Sequence, residues 1–147
     1  MIEVRAPKTE NEWKAYYDLR FVVLREPWGQ PLGSERDESE DAAFHFALFE
    51  NNSTLELKGA GRLDRKDAST YQVRYFCVAS DSQGKGYGKI LMKEIENFAK
   101  KKNAKKIILH ARENAVTFYK NLGYEIIEES YLLFGEIQHY LMRKGLG

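Results

Sequence analysis

The feature that most constrains this chain is a cluster of three glycines, Gly84, Gly86 and Gly88, between two apolar segments with different periods. The segment before the cluster, residues 73–78, is rich in aromatic and β-branched residues, which predicts a buried strand. After the cluster, apolar residues recur at helical spacing, which predicts an amphipathic helix of about four turns. These residues are Ile90, Leu91, Ile95, Phe98 and Ala99. The glycines therefore lie at a strand-to-helix turn.

Such a turn is suited to binding an anion. The first N–H groups of a helix have no intrahelical acceptor, and they lie at the positive end of the helix dipole. Glycines allow an anion to approach these groups closely because they carry no Cβ. Lys85 and Lys89 add positive charge beside them. We interpret the segment as a phosphate-binding loop. The alternative is a glycine-rich turn without a ligand, since short glycine patterns also arise by chance.

The spacing of residues 83–88, Q-G-K-G-Y-G, differs from that of the common nucleotide loops. It matches neither G-x-x-x-x-G-K-[ST] nor G-x-G-x-x-G, so a nucleotide-phosphate binder is a weak alternative. The segment resembles the Q/R-x-x-G-x-G/A pyrophosphate motif of the GNAT N-acetyltransferases, with Gln83 first and Gly86 and Gly88 as the motif glycines. This resemblance implies that backbone amides of the loop hold the pyrophosphate of acetyl-CoA.

A second segment is similar to another signature of the same family, N-x-x-A-x-x-[FL]-Y-x-x-x-G-[FY]. It follows a predicted strand at residues 105–111. Asn114 suits a helix N-cap and Gly123 suits a left-handed C-terminal position, which predicts a short helix between them. Thr117 stands where the family usually has a small residue. The matching residues are Asn114, Phe118, Tyr119, Gly123 and Tyr124.

The remaining elements follow from periodicity and turn residues. Thr9 and Glu12 form a capping-box pattern before a helix at residues 10–25. Its apolar stripe, Trp13, Tyr17, Phe21 and Leu24, is interpreted as core. Residues 43–64 predict a hairpin with a bulge near Gly59 and Gly61. Residues 124–130 and 136–143 predict a C-terminal hairpin joined by residues 131–135.

The predicted order is strand, helix, loop, three antiparallel strands, helix, strand, short helix and two strands. This order is that of the α+β GNAT fold, which has a mixed central sheet flanked by helices. The resemblance implies that the central strand and the strand at residues 105–111 run parallel and splay apart to admit the pantetheine arm. We expect a single GNAT domain over residues 1–147.

Composition excludes several classes of protein. The formal net charge of +1 gives no overall field that would attract nucleic acid or a membrane surface. The single cysteine excludes an internal disulfide and fits a reducing compartment. No apolar run reaches membrane-spanning length. We expect a cytoplasmic protein that binds neither nucleic acid nor membranes, and the resemblance implies that two copies can pair through edge strands.

The loop at residues 26–41 is long and acidic. Long loops in compact domains are often functional, and in the GNAT family this region lies near the acceptor site. Its acids either attract a cationic amine or form a solvated, mobile surface. They are Glu26, Glu35, Asp37, Glu38, Glu40 and Asp41.

The resemblance also assigns cofactor contacts. A main-chain N–H at the end of the central strand, from Phe76, Cys77 or Val78, polarises the thioester carbonyl, and this backbone pairs with the pantetheine. Asn114, Phe118 and Tyr119 contact the cofactor arm, and Tyr119 is also the acid that protonates the departing thiolate. The loop residues assigned to the pyrophosphate are Gln83, Gly84, Lys85, Gly86, Tyr87, Gly88 and Lys89.

The general base is less well defined. The central strand carries no acid, although many family members have a glutamate there. His110 is the candidate closest to the matched motif, ahead of His45 and His139, and a water chain is an equal alternative. Cys77 lies between apolar residues, where buried, unreactive thiols are the commoner case. No His, Cys or acidic cluster has metal-ligand spacing, so no metal is expected.

These observations predict an N-acetyltransferase that moves an acetyl group from acetyl-CoA to a primary amine, on a small molecule or a protein, by direct transfer in a ternary complex. The alternative is a non-catalytic acyl-CoA-binding or sensing module with the same fold. The missing acid on the central strand keeps this alternative open.

Overall fold

The computed structural model describes residues 1–147, which form seven strands and three α-helices. The helices are α1 (Glu10–Leu24), α2 (Tyr87–Lys101) and α3 (Val116–Asn121). The strands are β1 (Ile2–Arg5), β2 (Phe44–Asn51), β3 (Leu55–Arg65), β4 (Thr70–Val78), β5 (Lys106–Arg112), β6 (Glu125–Leu133) and β7 (Ile137–Gly145). They form one mixed sheet in the order β1-β2-β3-β4-β5-β7-β6, in which β4 and β5 are parallel. The predicted α+β class and element order are confirmed. No helix combines the length and the apolar character that crossing a membrane requires.

The residues group into two compact units. The first unit comprises Met1–Asp64 and Tyr75–Ile95, and the second comprises Arg65–Arg74 and Glu96–Gly147. Strand β4 and helix α2 each contribute residues to both. The core of the first unit joins α1 to the central strands, and its buried members are Tyr16, Tyr17, Leu24, Ala47, Phe49, Ala60 and Cys77.

Helix α1 begins as its sequence predicts. The Thr9 side chain accepts a hydrogen bond from the Glu12 N–H at 3.1 Å. The Glu12 carboxylate does not complete the capping box at Thr9; it accepts from the Lys8 N–H at 2.8 Å and from the Arg5 guanidinium. The buried face of α1 also differs from the prediction, because Tyr16 and Arg20 are fully buried. Trp13 and Phe21 are only half-buried.

The β2–β3 hairpin contains the predicted irregularity. Leu48 pairs with Gly59 and Phe49 pairs with Leu57, so Lys58 is the extra residue of a bulge. Gly59 is required there by space, because a Cβ would lie 3.2 Å from the Leu48 Cβ and 3.3 Å from the Leu91 side chain.

Helix α2 buries one face, and its residues up to Ile95 belong to the first unit and those from Glu96 to the second. The prediction that Ile90 belongs to this face is wrong, because 40% of its surface is exposed. The buried stripe includes Met92 instead, and Ile90 lies about 200° around the helix axis from Met92. The fully buried residues of α2 are Leu91, Met92, Ile95 and Ala99.

In the second unit, residues Thr70–Val73 of β4 pair in parallel with Lys106–Leu109 of β5, and β7 lies between β5 and β6. The predicted connection at residues 131–135 is too long, because β6 continues to Leu133. Phe134 and Gly135 both have positive φ, +55° and +70°, and reverse the chain within a short turn. Tyr131 and Leu132 therefore remain in the strand.

Candidate active site

The loop between β4 and α2 has the backbone geometry of an anion site. A 3₁₀ turn, Ser80–Ser82, follows β4, and α2 begins at Tyr87. Gly84 and Gly86 have φ of +83° and +81°, and no atom lies within 4 Å of the place where a Cβ would stand at either. Both positions favour glycine. The loop therefore leaves open space at the N-terminal end of a helix whose first N–H groups lack intrahelical acceptors.

The bulge in β3 anchors the beginning of this loop. The carbonyl of Lys58 accepts a hydrogen bond from the Ala79 N–H at 2.8 Å, immediately after β4. The ammonium group of Lys58 lies 3.2 Å from Asp81 in the following turn. Ser82 is buried, and its N–H donates to the Ala79 carbonyl at 2.9 Å. The first half of the loop is thus fixed to the sheet, and Gln83, whose side chain is exposed, begins the open half.

A carboxylate from β2 lies beside the same loop. The Tyr87 hydroxyl donates a short hydrogen bond to Glu50 Oε2, and the Lys85 ammonium lies 3.8 Å from that oxygen. The hydrogen bond from Tyr87 lowers the pKa of Glu50; burial opposes this, and the charge of Lys85 adds to it. The same hydrogen bond raises the pKa of Tyr87. Glu50 is therefore a carboxylate, and Tyr87 a neutral phenol, at neutral pH.

Strand β4 is irregular at Tyr75, just before the predicted cofactor residues. Tyr75 has a φ of +52°, which is uncommon for a residue with a bulky side chain. Its ring is surrounded by three guanidinium groups, whose carbons lie 4.0 Å (Arg20), 5.1 Å (Arg62) and 5.3 Å (Arg25) from the ring centroid. Cation–π attraction of this kind stabilises the ring position. Phe76, Cys77 and Val78 follow directly, and Cys77 is buried.

The two buried arginines also fix the acidic loop. The Glu40 carboxylate accepts from Arg20 at 3.0 and 2.7 Å and from Arg62 at 2.7 Å. Arg62 also makes paired hydrogen bonds to Asp37 and to Asp64. Burial alone would raise the pKa of Glu40, but the hydrogen bond from Arg20 and the charges of both arginines lower it below its ordinary value.

Three of the six loop acids are held by contacts within the protein. Asp37 and Glu40 are paired with buried arginines, and Glu35 is itself buried, with its carboxylate 2.7 Å from the Gly33 N–H. These three acids are engaged within the protein, so they are not available to a cationic acceptor. The acids of the loop that remain exposed are Glu26, Glu38 and Asp41.

His45 belongs to this network. Its Nε2 lies 2.8 Å from the Glu40 carbonyl, to which it must donate, and its Nδ1 lies 2.9 Å from the Tyr16 hydroxyl. Burial lowers the pKa of His45, and the charges of Arg20 and Arg62 add to this effect against the opposing contact with Glu40. Burial therefore favours the neutral ring, with its hydrogen on Nε2, and the Tyr16 hydroxyl lies within hydrogen-bond distance of both Nδ1 and the Gly61 carbonyl. His45 is a packed histidine in the interior of the first unit.

In the second unit, the predicted N-cap at Asn114 is wrong. Residues Glu113–Ala115 form a 3₁₀ turn before α3, Asn114 is exposed, and the N-cap of α3 is Ala115. Alanine has no side-chain acceptor, so no side chain caps the first N–H groups of α3, and the helix continues directly from the 3₁₀ turn.

The predicted end of α3 is correct. Gly123 has a φ of +98°, and its N–H donates to the Lys120 carbonyl, while the Tyr124 N–H donates to the Tyr119 carbonyl, both at 3.0 Å. These two bonds form a Schellman motif, in which the residues at the Tyr119 and Tyr124 positions usually touch. Their rings are 5.8 Å apart, and both side chains are buried. Phe118 packs edge-on against Tyr119 at 5.0 Å.

His110 lies on β5 beside Tyr131, with 5.2 Å between ring centroids. The Nδ1 atom of His110 is buried and has no hydrogen-bond partner. Burial lowers the pKa of His110, and the positive charges of Arg74 and Lys66 lower it further. Tyr131 also stacks on His139 at 4.5 Å, and the His139 Nδ1 donates to the Ile137 carbonyl at 2.9 Å.

Comparison with known proteins identifies the class of the molecule. A family model described as an acetyltransferase (GNAT) domain matches residues 30–146. The chain is 31% identical to the uncharacterized N-acetyltransferase YjcF of Bacillus subtilis (strain 168) over 137 residues, which cover 93% of this chain and 95% of that protein. The chain belongs to the GNAT acetyltransferase family. It is therefore an acetyltransferase that uses acetyl-CoA as its co-substrate.

Solved structures of GNAT proteins share this fold. An acyl-CoA N-acyltransferase from Pseudomonas aeruginosa superposes with a TM-score of 0.79 at 21% identity, over 98% of both chains. An aminoglycoside 6′-N-acetyltransferase, solved with coenzyme A, superposes with a TM-score of 0.80 at 15% identity, over 100% of this chain and 97% of the other. At these sequence identities the similarity establishes a shared fold and nothing more.

The residues assigned to acetyl-CoA divide between the units. The first unit brings together Phe76, Cys77 and Val78 with the loop that extends from Gln83 to Lys89, in one continuous segment. The second unit contains the motif residues around α3 and also His110. The open, left-handed glycines of the GNAT loop fit a bound pyrophosphate. The sequence interpretation did not identify Glu50, Arg20 or Arg62, whose charged side chains are usual on a surface.

Proposed function

We propose that this protein transfers the acetyl group of acetyl-CoA directly to a primary amine, on a small molecule or a protein, within a ternary complex. The observation that carries the proposal is the open loop at the N-terminus of α2, where Gly84 and Gly86 adopt left-handed conformations beside Lys85. Such a site suits the pyrophosphate of a coenzyme A ester. The bound ester supplies an activated acetyl group.

Direct transfer needs a neutral amine, whose nitrogen bonds to the acetyl carbon as the carbon–sulfur bond breaks. Negative charge develops on the carbonyl oxygen, and we assign its stabilisation to a main-chain N–H of residues 76–78 at the end of β4. Transfer through a cysteine is less consistent with the environment of Cys77, which is buried among apolar residues in the core. Buried thiols of this kind are poor nucleophiles because the thiolate is the reactive form.

We assign the protonation of the coenzyme A thiolate to Tyr119. The Schellman motif and the contacts with Phe118 and Tyr124 hold its ring in one orientation, which favours proton transfer at a fixed point. Asn114 and Phe118, which flank it in the motif, are assigned to the cofactor arm. The role of Tyr119 predicts that the Tyr119→Phe variant keeps its affinity for acetyl-CoA but loses rate.

We assign the removal of the amine proton to His110. A general base must be neutral to accept a proton, and burial with the charges of Arg74 and Lys66 lowers the pKa of His110. Its buried Nδ1 has no hydrogen-bond partner, so no protein group competes for that nitrogen. A His110→Gln variant distinguishes this role from a water chain, which would leave the rate and its pH profile unchanged.

The first test is thermal melting with saturating acetyl-CoA, with ATP and NAD as controls. Ligand at about 100 times its dissociation constant stabilises a protein by roughly 2.7 kcal/mol, which corresponds to a rise of several degrees in this size range. A rise with acetyl-CoA alone supports the assignment of the loop. The absence of a rise would contradict it.

Turnover is then measured as thiol release with a panel of primary amines. We expect Tyr119→Phe to lower kcat by about 100-fold with an unchanged Kd for acetyl-CoA, and Cys77→Ala to retain activity. Intact-mass analysis after incubation with acetyl-CoA alone should show no acetylated protein. An acetyl adduct on Cys77 would contradict direct transfer, and no thiol release with any amine would favour a non-catalytic acyl-CoA-binding module.

A further inference from the structure

We propose that Glu50 is a positioning residue that holds Lys85 and Tyr87 in the free protein and weakens the binding of coenzyme A pyrophosphate at the loop. This inference rests on the proposed function of the loop, and it concerns a residue of β2 that lies outside the GNAT motif. In this proposal Lys85 exchanges its partner: its ammonium leaves the Glu50 carboxylate and pairs with the phosphate when the ligand binds.

The contacts of Glu50 all involve this loop or its sheet neighbours. Its Oε2 atom accepts the hydroxyl hydrogen of Tyr87, the first residue of α2, and lies 3.8 Å from the Lys85 ammonium. The Lys85 ammonium also lies 5.8 Å from the centre of the Tyr87 ring. Lys85 stands between the two left-handed glycines, so Glu50 binds the side chain nearest to the open space.

A carboxylate at this point has the same charge as the ligand. Glu50 already contacts the hydroxyl of Tyr87 and lies 3.8 Å from the ammonium of Lys85 before any ligand binds. An incoming pyrophosphate meets both the repulsion of the carboxylate and a lysine that is already paired. Lys58 does not compensate, because its ammonium is engaged by Glu56 and Asp81, each at 3.2 Å.

The consequence is a coenzyme A site of moderated affinity. Acetyl-CoA and coenzyme A carry the same pyrophosphate, so Glu50 weakens the binding of substrate and product alike. An interaction that acts equally on both ligands does not favour the transition state. Its effect lies in the release of the product, which a tighter loop would slow.

The test is the Kd of coenzyme A for the full chain, measured by calorimetry at about 50 mM and about 500 mM salt. In Glu50→Gln the amide oxygen still accepts the Tyr87 hydroxyl while the charge is removed. We expect the Kd to fall about three- to fivefold at low salt and less than twofold at high salt, because salt screens the repulsion between the carboxylate and the pyrophosphate. A merely structural role would raise the Kd at both salt concentrations.

The matched control is Glu56→Gln. Glu56 pairs with Glu50 across the hairpin, and its substitution removes the same charge without touching Lys85 or Tyr87. The Lys58 ammonium loses Glu56 in this variant but remains 3.2 Å from Asp81. We expect less than a twofold change in Kd. An equal effect of both substitutions would show a general charge effect and would overturn the assignment to Glu50.

A double-mutant cycle tests the exchange of Lys85. Lys85→Gln should weaken coenzyme A binding more in the Glu50→Gln background than in the wild type, because the lysine there has no carboxylate to leave. Equal effects in both backgrounds, or an unchanged or higher Kd for Glu50→Gln, would overturn the inference while the proposed function stands. Failure of the wild-type chain to bind coenzyme A would instead overturn the proposed function and this inference with it.

Discussion

The carboxylate of Glu40 joins two arginines whose side chains are completely buried. The substitution Glu40→Ala removes three hydrogen bonds of 2.7 to 3.0 Å from the arginines. It also removes the acceptor of the Asp37 N–H at 3.1 Å and of the Tyr17 hydroxyl at 3.5 Å. Arg62 keeps Asp37 and Asp64, whereas Arg20 keeps the carbonyl of Glu35 but loses its paired carboxylate. The Nε atom of Arg20 is already buried without a partner. The variant therefore leaves one buried guanidinium uncompensated.

The expected cost follows from that uncompensated charge. Removing one partner of a buried ion pair destabilises proteins by about 3–5 kcal/mol, because desolvation of the remaining charge is no longer offset. The whole free energy of unfolding of a domain is about 5–15 kcal/mol. At 2–4 °C per kcal/mol for a domain of this size, the melting temperature should fall by roughly 10 °C.

The assay is urea unfolding followed by circular dichroism, with a fixed m-value as the check that the unfolded state is unchanged. The control is Glu38→Ala, which removes an exposed acid two residues away and should change stability by less than about 0.5 kcal/mol. A loss below about 1 kcal/mol for Glu40→Ala would refute the reasoning.

A double-mutant cycle separates the charge from the packing. In Arg20→Met with Glu40→Ala, the buried charge is gone along with its partner. We expect the free energy of unfolding to fall by at least about 1 kcal/mol less in the double variant than the summed losses of the two single variants. Strict additivity would mean that the cost of Glu40→Ala arises elsewhere in the loop.

Three further predictions concern other contacts. Hydrogen bonds from Arg5 and the Lys8 N–H lower the pKa of Glu12 from 4.5 to about 2. Their contribution to stability is therefore present above pH 4.5 and is lost as the pH falls towards 2. The urea midpoint of Glu12→Gln should depend less on pH across that range than the midpoint of the unaltered chain. Gly123→Ala should lower the free energy of unfolding by about 1–2 kcal/mol, because φ there is +98°. Gly145→Ala, with ordinary φ and open space around the new Cβ, should be nearly neutral in the same urea unfolding measurement. Tyr124→Phe should cost about 1.5–3 kcal/mol by losing the 2.8 Å hydrogen bond to Glu96, and a loss below 0.5 kcal/mol in chemical denaturation would contradict that value.

The local features of the GNAT motifs could be predicted from the sequence. A glycine at the end of a short helix and a tyrosine directly after it specify a Schellman motif, and the structure contains both of its hydrogen bonds. The loop before α2 could also be predicted, because its glycines lie between a strand pattern and a helix pattern and both patterns are defined by neighbouring residues. The bulge at Lys58 was indicated by two closely spaced glycines.

Features that depend on distant partners could not be predicted in the same way. Arg20 and Arg62 are buried because acids from another segment reach them, and the side-chain types alone indicate a surface position. A signal did exist: Arg20 falls between Tyr17 and Leu24 at helical spacing, on the stripe that is buried. Asn114 has the side chain of a good cap, but the 3₁₀ turn moved the N-cap of α3 by one residue, to Ala115.

The last strand of the sheet, β6, has a consequence for handling the protein. All of its residues except Leu133 are exposed, and it alternates short apolar pairs with the acids Glu125, Glu128 and Glu129. Charged side chains on an end strand keep its unpaired backbone groups from joining those of another molecule. Neutral side chains in place of these carboxylates would leave Ile126, Ile127 and Leu132 on an open edge. Variants that exchange these three acids for glutamine should therefore precipitate on concentration more readily than the unaltered chain.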